Sequence, residues 1–180
     1  MKISVLKNVS CLCFLLFPCF AYAHTMVSTM VNWVSGFSHP FQGVDHLLAM
    51  VALGWWAAQL RGVYLFLLPL TFLLVMAFGG LLGHFALISV DAEKVILISG
   101  IILTILALKK VHFHLFFNLA VVAFFAFFHG YAHGVAISDS AHFLSYSFGL
   151  ISATVVLHIT GIMSALAIDG LLISVRISQV

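Results

Sequence analysis

Charge is scarce in this 180-residue chain: Asp, Glu, Lys and Arg together make up 7%, where an ordinary soluble domain has about 25%. Seven bases and five acids leave a net charge of +2. No basic tract is present to bind nucleic acid. Cysteine is confined to Cys11, Cys13 and Cys19. A disulfide framework or thiolate metal site is therefore excluded from everything after residue 19. What is abundant is apolar surface, 64% of residues, and histidine, of which there are ten. Histidines outnumber the acids and outnumber the bases, and that imbalance calls for an explanation.

The first 23 residues read as a secretory signal. Lys2 and Lys7 precede an apolar core from Cys11 to Phe20, and Ala21-Tyr22-Ala23 is a small-x-small cleavage site. Cleavage there starts the mature chain at His24, whose α-amine and imidazole form a chelating pair. An uncleaved first helix is the alternative, and a lipoprotein signal fits less well because Phe follows Cys19.

Residues 24–38 are mixed and polar and read as a short exported segment. Beyond them, apolar stretches run over 43–60, 62–89, 95–108, 115–134 and 141–175. Polar breaks at Arg61, Asp91 to Lys94, Lys109-Lys110 and Ser138 to Ser140 separate them. At these lengths only helices satisfy their own backbone hydrogen bonds in lipid. The expected fold is all-α: a polytopic membrane helical bundle in one domain, residues 24–180, with about five transmembrane helices. The last stretch is too long for one simple crossing and barely long enough for two. Gly79, Gly80 and Gly83 are small residues that let neighbouring helices come close. Trp55-Trp56 reads as an interfacial anchor.

Arg61, Lys109-Lys110 and Arg176 fall at alternate span ends, all on one side; the other side has Lys94 flanked by Asp91 and Glu93. The positive-inside rule puts the first set in the cytoplasm and the mature N-terminus outside. A signal peptide requires the same orientation.

On that topology two histidine clusters meet. His39, Asp45 and His46 open the first span; His129 and His133 lie in the outer turns of the fourth. Counting crossings puts them at the same face, together with His84 near the end of the second span and His142 at the start of the fifth. His129 and His133, four residues apart, project from one helix face. His39 and His46 are seven apart, with Pro40 setting His39 at or just before the first turn. Asp45 either ligates a metal or fixes the tautomer of His46. Ionisable groups in membrane helices are costly and tend to be functional. A shell of nitrogen and oxygen without thiolate suits nickel, cobalt, copper(II) or zinc. His158, alone in the last span, reads first as a packing residue and second as a ligand on an inward path. His112 and His114, beside two lysines, read as solvated.

At these motifs the chain resembles the hydrogenase/urease accessory permease family (HupE/UreJ), membrane proteins associated with nickel uptake. His39, Asp45 and His46 match its first signature, and Leu47 to Ala52 with Gly54 and Trp56 continue the likeness. Phe128, His129, Gly130, Ala132, His133 and Gly134 match the second. Phe148-Gly149, Ala153-Thr154, Leu157-His158 and Gly161 follow the family pattern later on. Ala136 stands where the pattern has an acid, the nearest being Asp139. The family has a sixth span, here either missing or made by residues 141–175 folding back as two short helices.

The resemblance implies a permease for nickel(II), or cobalt(II), in the bacterial inner membrane. It implies no prosthetic group, with the lipid bilayer and a divalent ion as partners; a homo-oligomer is left open. A metal-binding accessory or sensing protein without transport is the first alternative. An intramembrane metalloprotease is disfavoured because Gly130 occupies the place of the general-base Glu in His-Glu-x-x-His. A haem protein with paired axial histidines is a further alternative.

Overall fold

The computed structural model describes residues 32–85, 92–137 and 140–177. The expected signal peptide, His24, Asp91 and Asp139 lie outside these residues. Every regular element among the described residues is helical, and the all-α expectation holds. The elements are α1 (Trp33–Ser38), a 3-10 turn (His39–Phe41), α2 (Val44–Leu60), α3 (Tyr64–His84), α4 (Ala92–Leu108), α5 (Leu115–Ala136) and α6 (Ser140–Ile177).

The bundle is apolar outside and carries polar groups within. Phe66, Leu70, Leu74 and Phe78 make an exposed ridge on α3, and Phe116, Phe124, Leu144 and Phe148 are likewise exposed. Ser99, Asn118, His129, His133, Thr154 and His158 are buried. That distribution suits a lipid environment, where exposed apolar side chains cost nothing and polar ones must find partners inside.

Among the described residues three helices are long and apolar enough to cross a membrane, Tyr64–His84, Leu115–Ala136 and His142–Leu172, and Lys94–Leu108 is a shorter apolar helix. This is coarser than five crossings. α2 has 17 residues, about 26 Å at 1.5 Å per residue. It also carries Asp45, His46 and Gln59.

The folding back of residues 141–175 as two short helices is overturned. α6 is a single helix of 38 residues. Two of its glycines, Gly149 and Gly161, serve close approach rather than turning. A Cβ on Gly149 would overlap the Trp33 carbonyl of α1, and one on Gly161 the Val51 carbonyl of α2. Nor is the stretch after residue 31 merely an exported tail. Asn32 and Ser35 form a reciprocal capping box that starts α1, with the Ser35 amide donating to Asn32 Oδ1 at 3.0 Å. α1 then packs across α6.

The most extensive helix pair is α3 with α5, and its glycines are reciprocal. Gly79 and Gly83 meet the carbonyls of Phe127 and Tyr131, while Gly130 and Gly134 meet those of Met76 and Gly80. None of the four has room for a Cβ, so the backbones themselves are in contact. Trp56 is not an interfacial anchor. It is fully buried, and its indole N–H donates to the Val111 carbonyl at 2.8 Å, tying α2 to the segment before α5. At the same end Arg61 meets Asp169 of α6 at 3.3 Å, a surface pair of small energetic weight.

Candidate metal centre

The start of α2 is shaped by its cap. Gly43 is extended, with φ −111° and ψ 123°, and separates the 3-10 turn from the helix. His39 therefore does not lie two helical turns before His46 on one face. It belongs to the 3-10 turn and reaches His46 across the break, with ring centroids 5.5 Å apart. A Cβ on Gly43 would lie 2.6 Å from Asp45 Oδ1 and 2.9 Å from His46 Nδ1. Glycine leaves room for that pair.

His133 completes the group from the last turn of α5. Its ring lies 4.7 Å from that of His39 and 5.0 Å from that of His46. One ligand atom from each of His39, His46 and His133 falls within 4.8 Å of the others. Two nitrogens on opposite sides of one first-row ion are about 4.2 Å apart, twice a bond of about 2.1 Å. A spread of at most 4.8 Å is close to what one ion can bridge.

The hydrogen bonds orient these rings. A carboxylate only accepts, so His46 Nδ1–H donates to Asp45 Oδ1 at 3.0 Å. That leaves the Nε2 lone pair of His46 facing inward, buried and without a partner. Asp45 thus takes the tautomer-fixing geometry, with Oδ1 also accepting from the His46 amide at 2.9 Å. One turn below His133, His129 Nδ1–H donates to the Phe125 carbonyl at 2.9 Å, so its Nε2 is also a bare lone pair. His129 lies 5.6 Å from His46, ring to ring. At His39, outside the spans, burial pushes the imidazole pKa down to about 4; the neighbouring His46 adds to this and Asp45 opposes it. The neutral ring is the ligating form.

Hydroxyl groups inside the bundle satisfy themselves locally. Ser99, Thr104 and Thr154 each donate to a carbonyl one turn back, at 2.6, 2.7 and 2.9 Å. The histidines do not. His46, His129 and His133 each leave Nε2 buried and unpartnered, and His158 leaves both ring nitrogens so. Each such group costs about 1–3 kcal/mol, a sum that a bound cation would offset.

Of the nine candidate residues, the structure brings His39, His46 and His133 together, with Asp45 behind His46 and His129 just beneath. His158 lies deeper. It is 2% exposed, and the ring of Phe72 packs on both His158 and His129, at 5.2 and 5.4 Å. His84 stands apart: its Nδ1–H donates to the Ile137 carbonyl at 3.1 Å, and its ring stacks on Phe143 at 4.4 Å. His142 is exposed near the start of α6. Ala136, in the family acid's place, ends α5 and is exposed.

Sequence reasoning missed Phe72, one of many Phe residues in apolar runs. It also missed Gln59 and Asn118, each with a buried, unpartnered side-chain oxygen.

The family described as HupE / UreJ protein matches residues 12–176. Among curated proteins, "Protein HupE" of Rhizobium leguminosarum bv. viciae is 35% identical over 156 residues, which cover 87% of this chain and 81% of that protein. No solved structure matches the chain significantly.

Proposed function

The chain belongs to the HupE/UreJ family, a family of multi-pass membrane permeases rather than enzymes, and from that premise we propose that it takes up nickel(II), with cobalt(II) second, across the bacterial inner membrane. The observation that carries this reading is the convergence of His39, His46 and His133 from three separate elements, with ligand atoms within 4.8 Å of one another. Asp45 holds the tautomer of His46 so that Nε2 faces the shared space.

In this reading the ion is captured at the outer face by His39, His46 and His133, with His129 as the next donor. The five apolar segments are five crossings: α2 and α4, 17 residues each, span as short helices with local thinning of the bilayer. The basic residues Arg61, Lys109 and Lys110 face the cytoplasm, and the mature chain begins outside after Ala23. An imidazole shell without thiolate binds a late first-row ion loosely enough to release it, as conduction requires.

Uptake of radiolabelled nickel by cells producing the wild type, Asp45→Asn or His133→Ala tests it. Wild-type accumulation with a loss of at least tenfold in both variants supports the reading. Equal uptake in all three, or none above background in the wild type, contradicts it.

A further inference from the structure

We propose that His158 and the turn of α6 around it form a second, inner metal station, separated from the outer histidines by the Phe72 ring. This rests on the permease reading above and deepens it, giving the captured ion a defined place to go.

The depth of the site comes from helix geometry. Phe72 lies twelve residues before His84, the last residue of α3, about 18 Å along the axis. That is well inside a hydrocarbon core of about 30 Å. His133 stands at the end of α5, His129 one turn inward, and Phe72 touches both His129 and His158 with tilted, edge-type ring contacts. Phe72 is wholly buried.

A buried histidine kept only for packing would engage at least one nitrogen, as His84 does at the helix end with the Ile137 carbonyl. His158 engages neither: Nδ1 and Nε2 are both buried without a partner. Its surroundings also supply a softer donor. On α6, Thr154 lies one turn before His158. Its hydroxyl contacts Met76 Sδ at 4.0 Å while donating to the Leu150 carbonyl. On α3, Met76 lies one turn beyond Phe72. The facing strips of α3 and α6 are therefore Phe72 and Met76 against His158 and Thr154. Imidazole suits a late first-row ion, and the Met76 thioether lies against the neighbouring Thr154. From the other side, Gly54 brings the backbone of α2 against the His158 carbonyl, where a Cβ would not fit. The site is walled by α2, α3 and α6.

Phe72 keeps the two stations from sharing one ion. A cation leaving His129 passes the ring, whose face attracts positive charge, and is then taken by His158. Weak, successive sites allow release where one closed site would trap the ion.

The test uses the full-length protein purified in detergent and reconstituted in liposomes. It compares wild type, His46→Ala, His158→Ala and the volume-conserving His158→Gln. Nickel binding is read by equilibrium dialysis, and flux by a nickel-quenched dye inside the vesicles. Expected is that His46→Ala loses outer-site binding and flux. Both His158 variants keep outer-site affinity within about twofold, which also reports an intact fold, and lose at least tenfold in flux. A His158 variant that binds and transports within twofold of wild type overturns the inner station. Loss of outer-site binding in both His158 variants overturns the separation into two stations. A wild type that binds no nickel overturns the underlying permease reading, and the inner station with it.

Discussion

Asp45 Oδ1 lies 3.0 Å from His46 Nδ1, and that one contact decides which end of the imidazole is available. The proton sits between ring and carboxylate, so Nε2 is left as a lone pair beside His39 and His133. A carboxylate behind a ligating histidine also raises the basicity of the ring.

Replacing that carboxylate with an amide tests its role. Asp45→Asn keeps shape and loses charge, so nickel affinity should fall about 10- to 100-fold, the usual cost of losing such a partner. Helix content by circular dichroism should stay unchanged. Isothermal titration of the purified protein reads the affinity.

Gly43 should be nearly as sensitive, although it binds nothing. A methyl group there would press on both Asp45 Oδ1 and His46 Nδ1, so Gly43→Ala should move the pair and weaken nickel binding by several-fold. Equal affinity in wild type and variant would show that the pair has slack.

His84 and His133 are close in sequence pattern and different in situation. His84 is hydrogen-bonded to Ile137 and stacked on Phe143, while His133 faces His39 and His46. His133→Ala should lose at least tenfold in nickel affinity and His84→Ala less than twofold, by the same titration.

At the α3–α5 crossing, Gly130→Ala places a methyl group against the Met76 carbonyl. Overpacking of this kind costs about 1–3 kcal/mol, and the melting temperature in detergent should fall by several degrees. Ala132→Gly, two residues on and half-buried, should fall less.

The helices are legible from apolar runs between polar breaks, and the meeting of His39, His46 and His133 at one end of the bundle follows from the parity of crossings. Rotation about each helix axis is not legible. α3 is apolar all round, so nothing in its pattern says that Phe72 faces inward while Phe66 and Phe78 face lipid. The same lack of contrast hid the burial of Trp56. His84 was read at the right end, but its neighbours Phe143 and Ile137 claim it. The continuity of α6 is not legible because residues 141–175 are too long for one simple crossing; Gly149 and Gly161 are contact points for α1 and α2. His39 reaches its partners through a 3-10 turn, which helical spacing does not describe.

The central claim is that one ion is held by His39, His46 and His133. X-ray absorption spectroscopy of the purified, nickel-loaded protein tests it most directly. The account predicts a nitrogen and oxygen shell with multiple scattering from about three imidazoles, reduced by one in His133→Ala. A spectrum without imidazole scattering, or one unchanged in His133→Ala, would contradict it.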